Sequence, residues 1–227
     1  MEETMNFKAL AAEFIGTFTF VFVGVGAIAS NAMTGQMLGL TGIALAHGLA
    51  FAVMVSATVA VSGGHLNPAI TFGALITKKI DLANGLAYIV VQCLGGIAAA
   101  YIIRLAMPAQ VLVAISYGIP ALTKGATITE ALSTEIILTF FLVFVMFGTV
   151  LDKRAPRVGG LFVGLAVVTG MMVGAAISGA AMNPARFMGP AVAAGGFANT
   201  WLYWVGPFIG GGLAALVYKH VLEEKQN

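Results

Sequence analysis

Charge is what this chain has least of. Only 9% of its 227 residues are Asp, Glu, Lys or Arg, where a soluble domain carries about 25%, so a fully water-facing shell is excluded. The net charge of +2 offers no basic surface of the kind nucleic acid requires. Cys93 is the one cysteine, which excludes an internal disulfide. No Asn-X-Ser/Thr acceptor occurs anywhere. Asp81 and Asp152 are the only aspartates, and neither falls in an apolar run. The histidines have no ligand spacing, and no nucleophile–base pair or phosphate loop is visible. No metal, no cofactor and no enzymatic activity are therefore expected. The chain opens on Glu2 and Glu3 rather than on a basic n-region, so no cleaved signal peptide is expected.

What is abundant is apolar sequence: 59% of residues are hydrophobic and the mean hydropathy is +0.98. A membrane span needs roughly 20 apolar residues, and six stretches qualify, at 10–29, 40–61, 82–105, 129–150, 158–177 and 200–222. Two shorter stretches, 67–77 and 183–193, each begin at an Asn-Pro-Ala. Eleven residues at about 1.5 Å each cover only about half of a ~30 Å hydrocarbon core. The expected fold is an all-α membrane protein with six transmembrane helices and two re-entrant half-helices.

Basic residues orient it. With both ends in the cytoplasm, Lys8, Lys78, Lys79, Lys153, Arg154, Arg157, Lys219 and Lys225 fall on that side, and only Arg104 and Lys124 fall outside. Arg186 lies at membrane depth with no acid near it in sequence. A lone charge there is expensive, which marks Arg186 as a pore-lining donor.

The chain also repeats. "AAEFIGTFTFVFVG" around Glu13 resembles "STEIILTFFLVFVMFG" around Glu135; "SGGHLNPAITFG" resembles "SGAAMNPARFMG"; "QCLGGIAAA" resembles "PFIGGGLAA". The offsets are 122, 116 and 115 residues. One channel domain, 1–227, therefore contains two halves, approximately 8–105 and 129–222. Each holds three spans, an odd number, so the second enters the membrane inverted, an architecture that places its site near the midplane.

The two motifs then have a physical reading. Proline suits the first helical turn and asparagine the N-cap. Two half-helices entering from opposite sides bring Asn67-Pro68-Ala69 and Asn183-Pro184-Ala185 together at the bilayer centre. Each helix N-terminus carries about half a positive charge, so the pair repels cations, hydronium included. Irregular backbone at this depth must line a wet cavity or be buried in protein. A narrow pore for a neutral solute follows.

These features resemble the aquaporins, the major intrinsic protein family, over essentially the whole chain. The resemblance implies a homotetramer in membrane lipid, each monomer passing water or small neutral solutes and excluding ions and protons. It implies that Glu13 and Glu135 accept loop N–H groups and support the half-helices. It also implies a selectivity filter made of His47, Met171, Ala180 and Arg186. Strict water channels place Phe, His and often Cys at the first three of these positions; glycerol facilitators place Trp first and a second aromatic third. This chain follows neither, and "ALAHGLAFAV" around His47 is similar to the vacuolar aquaporins of plants. The small Ala180 and the adaptable Met171 suggest a wider, partly apolar filter that admits water and ammonia.

Phe187 stands where facilitators carry Asp and water channels Ser, while Tyr203-Trp204 and Ala191 resemble the water type. Water is therefore the expected permeant, with a glycerol facilitator as the alternative and a coupled transporter as a remote one. His65, two residues before Asn67, is expected at the cytoplasmic pore mouth, with a loop-stabilising hydrogen bond as the equal alternative. Short loops suggest a prokaryotic plasma membrane, and the plant-like His47 a vacuolar one.

Overall fold

A computed structural model describes residues 6–152, 154–155 and 158–223. Lys153, Arg157 and Lys225, counted above on the cytoplasmic side, lie outside the described residues. All regular structure among the described residues is helical. In order come α1 (Phe7–Met33), α2 (Gly39–Ser62), α3 (Pro68–Ile76), α4 (Leu82–Ala106), α5 (Ala109–Ala114), α6 (Ile128–Met146), α7 (Gly159–Gly174), α8 (Pro184–Ala194) and α9 (Leu202–Val217). A short 3-10 turn, Ser116–Gly118, follows α5. π-helical turns at Phe147–Leu151 and Tyr218–Leu222 extend α6 and α9.

Local chemistry sets several boundaries. Asn6 caps α1 through its side-chain oxygen, Asp81 caps α4, and Thr127 with Glu130 forms a capping box on α6. With those extensions α6 and α9 join α1, α2 and α4 as helices long and apolar enough to cross a membrane. The sixth segment, α7, has 16 residues, about 24 Å at 1.5 Å per residue. It is shorter than the 158–177 expected, because residues 175–178 turn away to open the second re-entrant loop.

The distribution of polarity is inverted relative to a water-soluble protein. Leu49, Val53, Val90, Leu94, Phe141 and Leu213 face outward, while Glu13, His47, Gln92, Glu135 and Arg186 are buried. A surface of this kind is solvated by hydrocarbon, and the chain is a multi-pass membrane protein.

The helices pair as α1 with α4, α6 with α9, and α2 with α7. Close approach requires missing side chains. A Cβ on Gly48 would sit 2.4 Å from Gly164 O, and one on Gly164 2.3 Å from Gly48 O, so α2 and α7 cross backbone to backbone. Gly96 lets α4 approach Ala185 O on α8 in the same way, and Gly211 lets α9 approach Ala69 O on α3. These contacts seat both half-helices inside the bundle.

Candidate functional site

Asn67 and Asn183 are buried where α3 and α8 begin. Asn67 Oδ1 accepts from Ala69 N at 2.8 Å. Asn183 Oδ1 accepts from Ala185 N at 3.0 Å and Arg186 N at 3.3 Å. Pro68 and Pro184 open the two helices at the position where no N–H is needed. The amide nitrogens cross over: Asn67 Nδ2 donates to Met182 O and Asn183 Nδ2 donates to Leu66 O, both at 2.9 Å. Each amide keeps one further N–H.

The loops before the motifs are strained. Leu66 and Met182 have φ values of 50° and 51°, a left-handed conformation that costs an L-residue on the order of 1–3 kcal/mol. Two carboxylates fix them. Glu13 accepts from Ser62 Oγ at 2.6 Å, His65 N at 2.9 Å, Leu66 N at 2.6 Å and Gln92 Nε2 at 2.7 Å. Glu135 accepts from Ser178 Oγ at 2.7 Å, Ala181 N at 2.9 Å and Met182 N at 2.8 Å. Tyr88 OH donates to Ser62 O, and Tyr203 OH to Ser178 O, at matching places in the two halves.

Beyond that match the halves differ. In the first, Gln92 Nε2 donates to Thr71 Oγ1 at 2.9 Å, and His65 Nδ1 lies 3.1 Å from the same oxygen. The His65 ring is buried and meets Tyr88 edge-on, and it does not line the cavity described next. In the second half Phe187 stands in the place of Thr71. It stacks on Tyr203 with ring centres 4.4 Å apart and is fully buried. Phe187 is therefore a packing residue within the bundle, not a wall of the cavity.

A narrow cavity of about 10 Å³, room for the centre of roughly one water, runs beside the asparagines. It brings together His47, Asn67, Met171, Ala180, Asn183 and Arg186. Pro68, Ala69, Pro184 and Ala185 lie behind it in the helix starts, and Glu13 and Glu135 lie behind the loops. Besides Ala181 and Met182 of the loop, the wall takes in four apolar helix residues that had not been singled out: Phe20, Phe51, Leu142 and Val167. They pair at the repeat's own offsets, Phe20 with Leu142 and Phe51 with Val167. The repeat is thus the signal by which the sequence reveals them.

Arg186 is held from two sides. Its Nη1 donates to Gly118 O at 2.7 Å, and its Nη2 lies 3.4 Å from His47 Nε2. Ile43 O, 2.9 Å from His47 Nδ1, can only accept, so Nδ1 is assigned the proton and Nε2 is left as an acceptor facing the guanidinium. Arg186 Nε has no hydrogen-bond partner among the described residues. A buried donor without a partner is costly, and this one belongs to a side chain that borders the cavity.

Comparison with known proteins agrees with this architecture. The family model described as major intrinsic protein matches residues 1–218. The chain is 45% identical over 220 residues to aquaporin TIP4-4 of Zea mays, covering 93% of this chain and 85% of that one. It is 41% identical over 229 residues to aquaporin TIP2-1 of Arabidopsis thaliana, covering 95% and 88%. Among solved structures it is similar to the aquaglyceroporin from Plasmodium falciparum, with a TM-score of 0.83, 25% identity, and coverage of 95% and 96%. The chain belongs to the major intrinsic protein family.

Proposed function

We propose that this chain forms a passive pore for water that also admits ammonia or other small neutral solutes and excludes protons and ions. One observation carries the reading: two half-helix N-termini meet through the crossed Asn67 and Asn183 amides beside a cavity that Arg186 borders. The spare Nδ2–H of each asparagine donates to a passing oxygen, and the two positive helix ends oppose a cation. His47, Met171, Ala180 and Arg186 act as the filter, with Arg186 Nε–H as the free donor. Phe20, Phe51, Leu142 and Val167 supply an apolar wall, so a permeant exchanges its water neighbours for a few fixed donors. Glu13 and Glu135 hold the loops, and His65 does so on the cytoplasmic side of the centre.

The relatives carry the printed name aquaporin, which supports water. The small Ala180 and the likeness to an aquaglyceroporin favour glycerol as the second reading. The monomer assembles as a homotetramer in lipid, on family grounds. A prokaryotic plasma membrane, with both ends cytoplasmic, fits the short loops and the placement of Lys and Arg. A vacuolar membrane fits the plant origin of the relatives named.

Stopped-flow light scattering on proteoliposomes given a glycerol gradient tests the reading. Fast shrinkage with slow recovery is the expected result. Fast re-swelling would make the pore a polyol channel. Shrinkage no faster than in empty vesicles would overturn the pore itself.

A further inference from the structure

The outer ends of the two half-helices are held in matching ways, each by the opposite half. Arg104, in the last turn of α4, donates from Nη1 to Ala193 O at 2.5 Å, at the C-terminal end of α8. Lys219, just past α9, donates from Nζ to Thr77 O at 3.0 Å, at the C-cap of α3. Arg104 and Lys219 are 115 residues apart, and Thr77 and Ala193 are 116 apart. The same contact is therefore made twice, and each crosses from one repeat to the other. Placing these residues by charge alone gave them only a topological role.

A helix C-terminus leaves carbonyls unpaired and carries about half a negative charge. Turn bonds satisfy the inner carbonyls: Lys78 N to Leu75 O and Lys79 N to Ala74 O after α3, and Gly195 N to Val192 O and Gly196 N to Ala191 O after α8. Thr77 and Ala193 are buried, and their carbonyls are the ones the two cations bond. With 9 and 11 residues, the half-helices are only about 14–17 Å long. Their negative ends are close enough to subtract from the field of the positive ends at the centre. Arg104 is braced further, its guanidinium 5.8 Å from the ring centres of Tyr101 and Tyr117, next to the Gly118 that holds Arg186.

We propose that Arg104 and Lys219 are a crossed pair of positioning residues. Each fixes the outer end of the other half's pore helix and neutralises its carbonyl end, so that the positive ends at Asn67 and Asn183 repel cations undiminished. The leak measurement below rests on the channel reading; the exchange measurement does not.

The test uses the full chain in proteoliposomes. Hydrogen exchange reads position: Arg104→Met raises exchange in α8 and leaves α3 unchanged, and Lys219→Met does the reverse. Proton leak reads the field: it rises about two- to fivefold in each variant, the size expected for one charge at a helix end, while water permeability holds steady. Arg104→Lys and Lys219→Arg restore both. Arg104→Gln and Lys219→Gln keep a donor but lose the charge, so they raise the leak without raising exchange; they carry the test should the Met variants not insert. Exchange rising in the variant's own half, no leak in any neutral variant, or leak and water flux rising in proportion would each overturn the proposal. A wild type without fast water flux would instead sink the channel reading, and the crossed exchange pattern would still decide the clamp.

Discussion

Asn67 and Asn183 each spend the side-chain oxygen on their own helix and one N–H on the other's loop, through Met182 O and Leu66 O at 2.9 Å. The two halves are thereby joined at the centre by two bonds between elements more than a hundred residues apart in sequence. Removing either amide loses an N-cap, worth about 1 kcal/mol, and strands a buried carbonyl, worth about 1–3 kcal/mol. Asn67→Ala and Asn183→Ala are therefore expected to lower the melting temperature in detergent well beyond an exposed control such as Gln110→Ala. Asn183→Ala is the worse of the two, because Asn183 accepts from two amides and Asn67 from one. Melting curves that match the control would remove the crossed pair from the stability of the centre.

The carboxylates invite a comparison within one chain. Glu13→Gln puts an amide nitrogen beside Gln92, whose Oε1 has no partner among the described residues. A flip of Gln92 lets that oxygen accept from the new amide. Either substitution leaves a buried loop N–H facing another donor, but Glu135 has no such compensating neighbour, since Pro207 stands in the place of Gln92. Charge-assisted hydrogen bonds are worth about 1.5–3 kcal/mol each, so both variants are expected to lose membrane-inserted protein, Glu135→Gln more than Glu13→Gln. Equal yields and equal melting temperatures for the two would refute the compensation.

Asparagine followed by proline inside an apolar run is a polar group and a helix start at once, so the half-helices could be read from residues alone. The bundle followed from apolar run length and from the odd number of spans in each half. Helix ends were less accessible. α1 runs on to Met33 because Asn31 bonds Leu38 N and Gly39 N and organises the loop that follows, which an apolar count stopping at residue 29 does not register. α5 is six residues long and left no periodic trace. Gly118 holds Arg186 through a backbone carbonyl, an atom every residue has, so no side chain announces it. Phe187 was read for its departure from family patterns, while its position is set by stacking on Tyr203.

Gly24 supports the filter from behind. A Cβ there would fall 2.4 Å from His47 Nε2 and 2.5 Å from Cδ2, and the bond from Nδ1 to Ile43 O keeps the ring from swinging away. Gly24→Ala is expected to drive the imidazole toward Arg186 and cut water flux several-fold, and His47→Ala in the same chain should relieve the block. His47→Phe narrows the same opening and should reduce methylamine flux more than water flux. Proportional loss of both solutes would mean that His47 does not set the width.

Asp152 ties the loop after α6 to the end of α9. Arg154 donates to it from Nε at 3.0 Å and Nη2 at 2.6 Å, Tyr218 OH donates to it at 2.7 Å, and Arg154 Nη2 also reaches Leu222 O at 3.1 Å. The Arg154 guanidinium holds the Asp152 carboxyl well below the usual carboxylate range. A carboxylate whose folded pKa lies below its unfolded value, about 3.9, stabilises the fold fully above that value and loses the contribution as pH falls through the folded one. Asp152→Asn is therefore expected to melt a few degrees below wild type, with a constant gap from about pH 5 to 8 that closes only below about pH 4. Melting curves across that range check it. A gap that closed between pH 5 and 7 would assign the titration to another group and break the link between this ion pair and the loop.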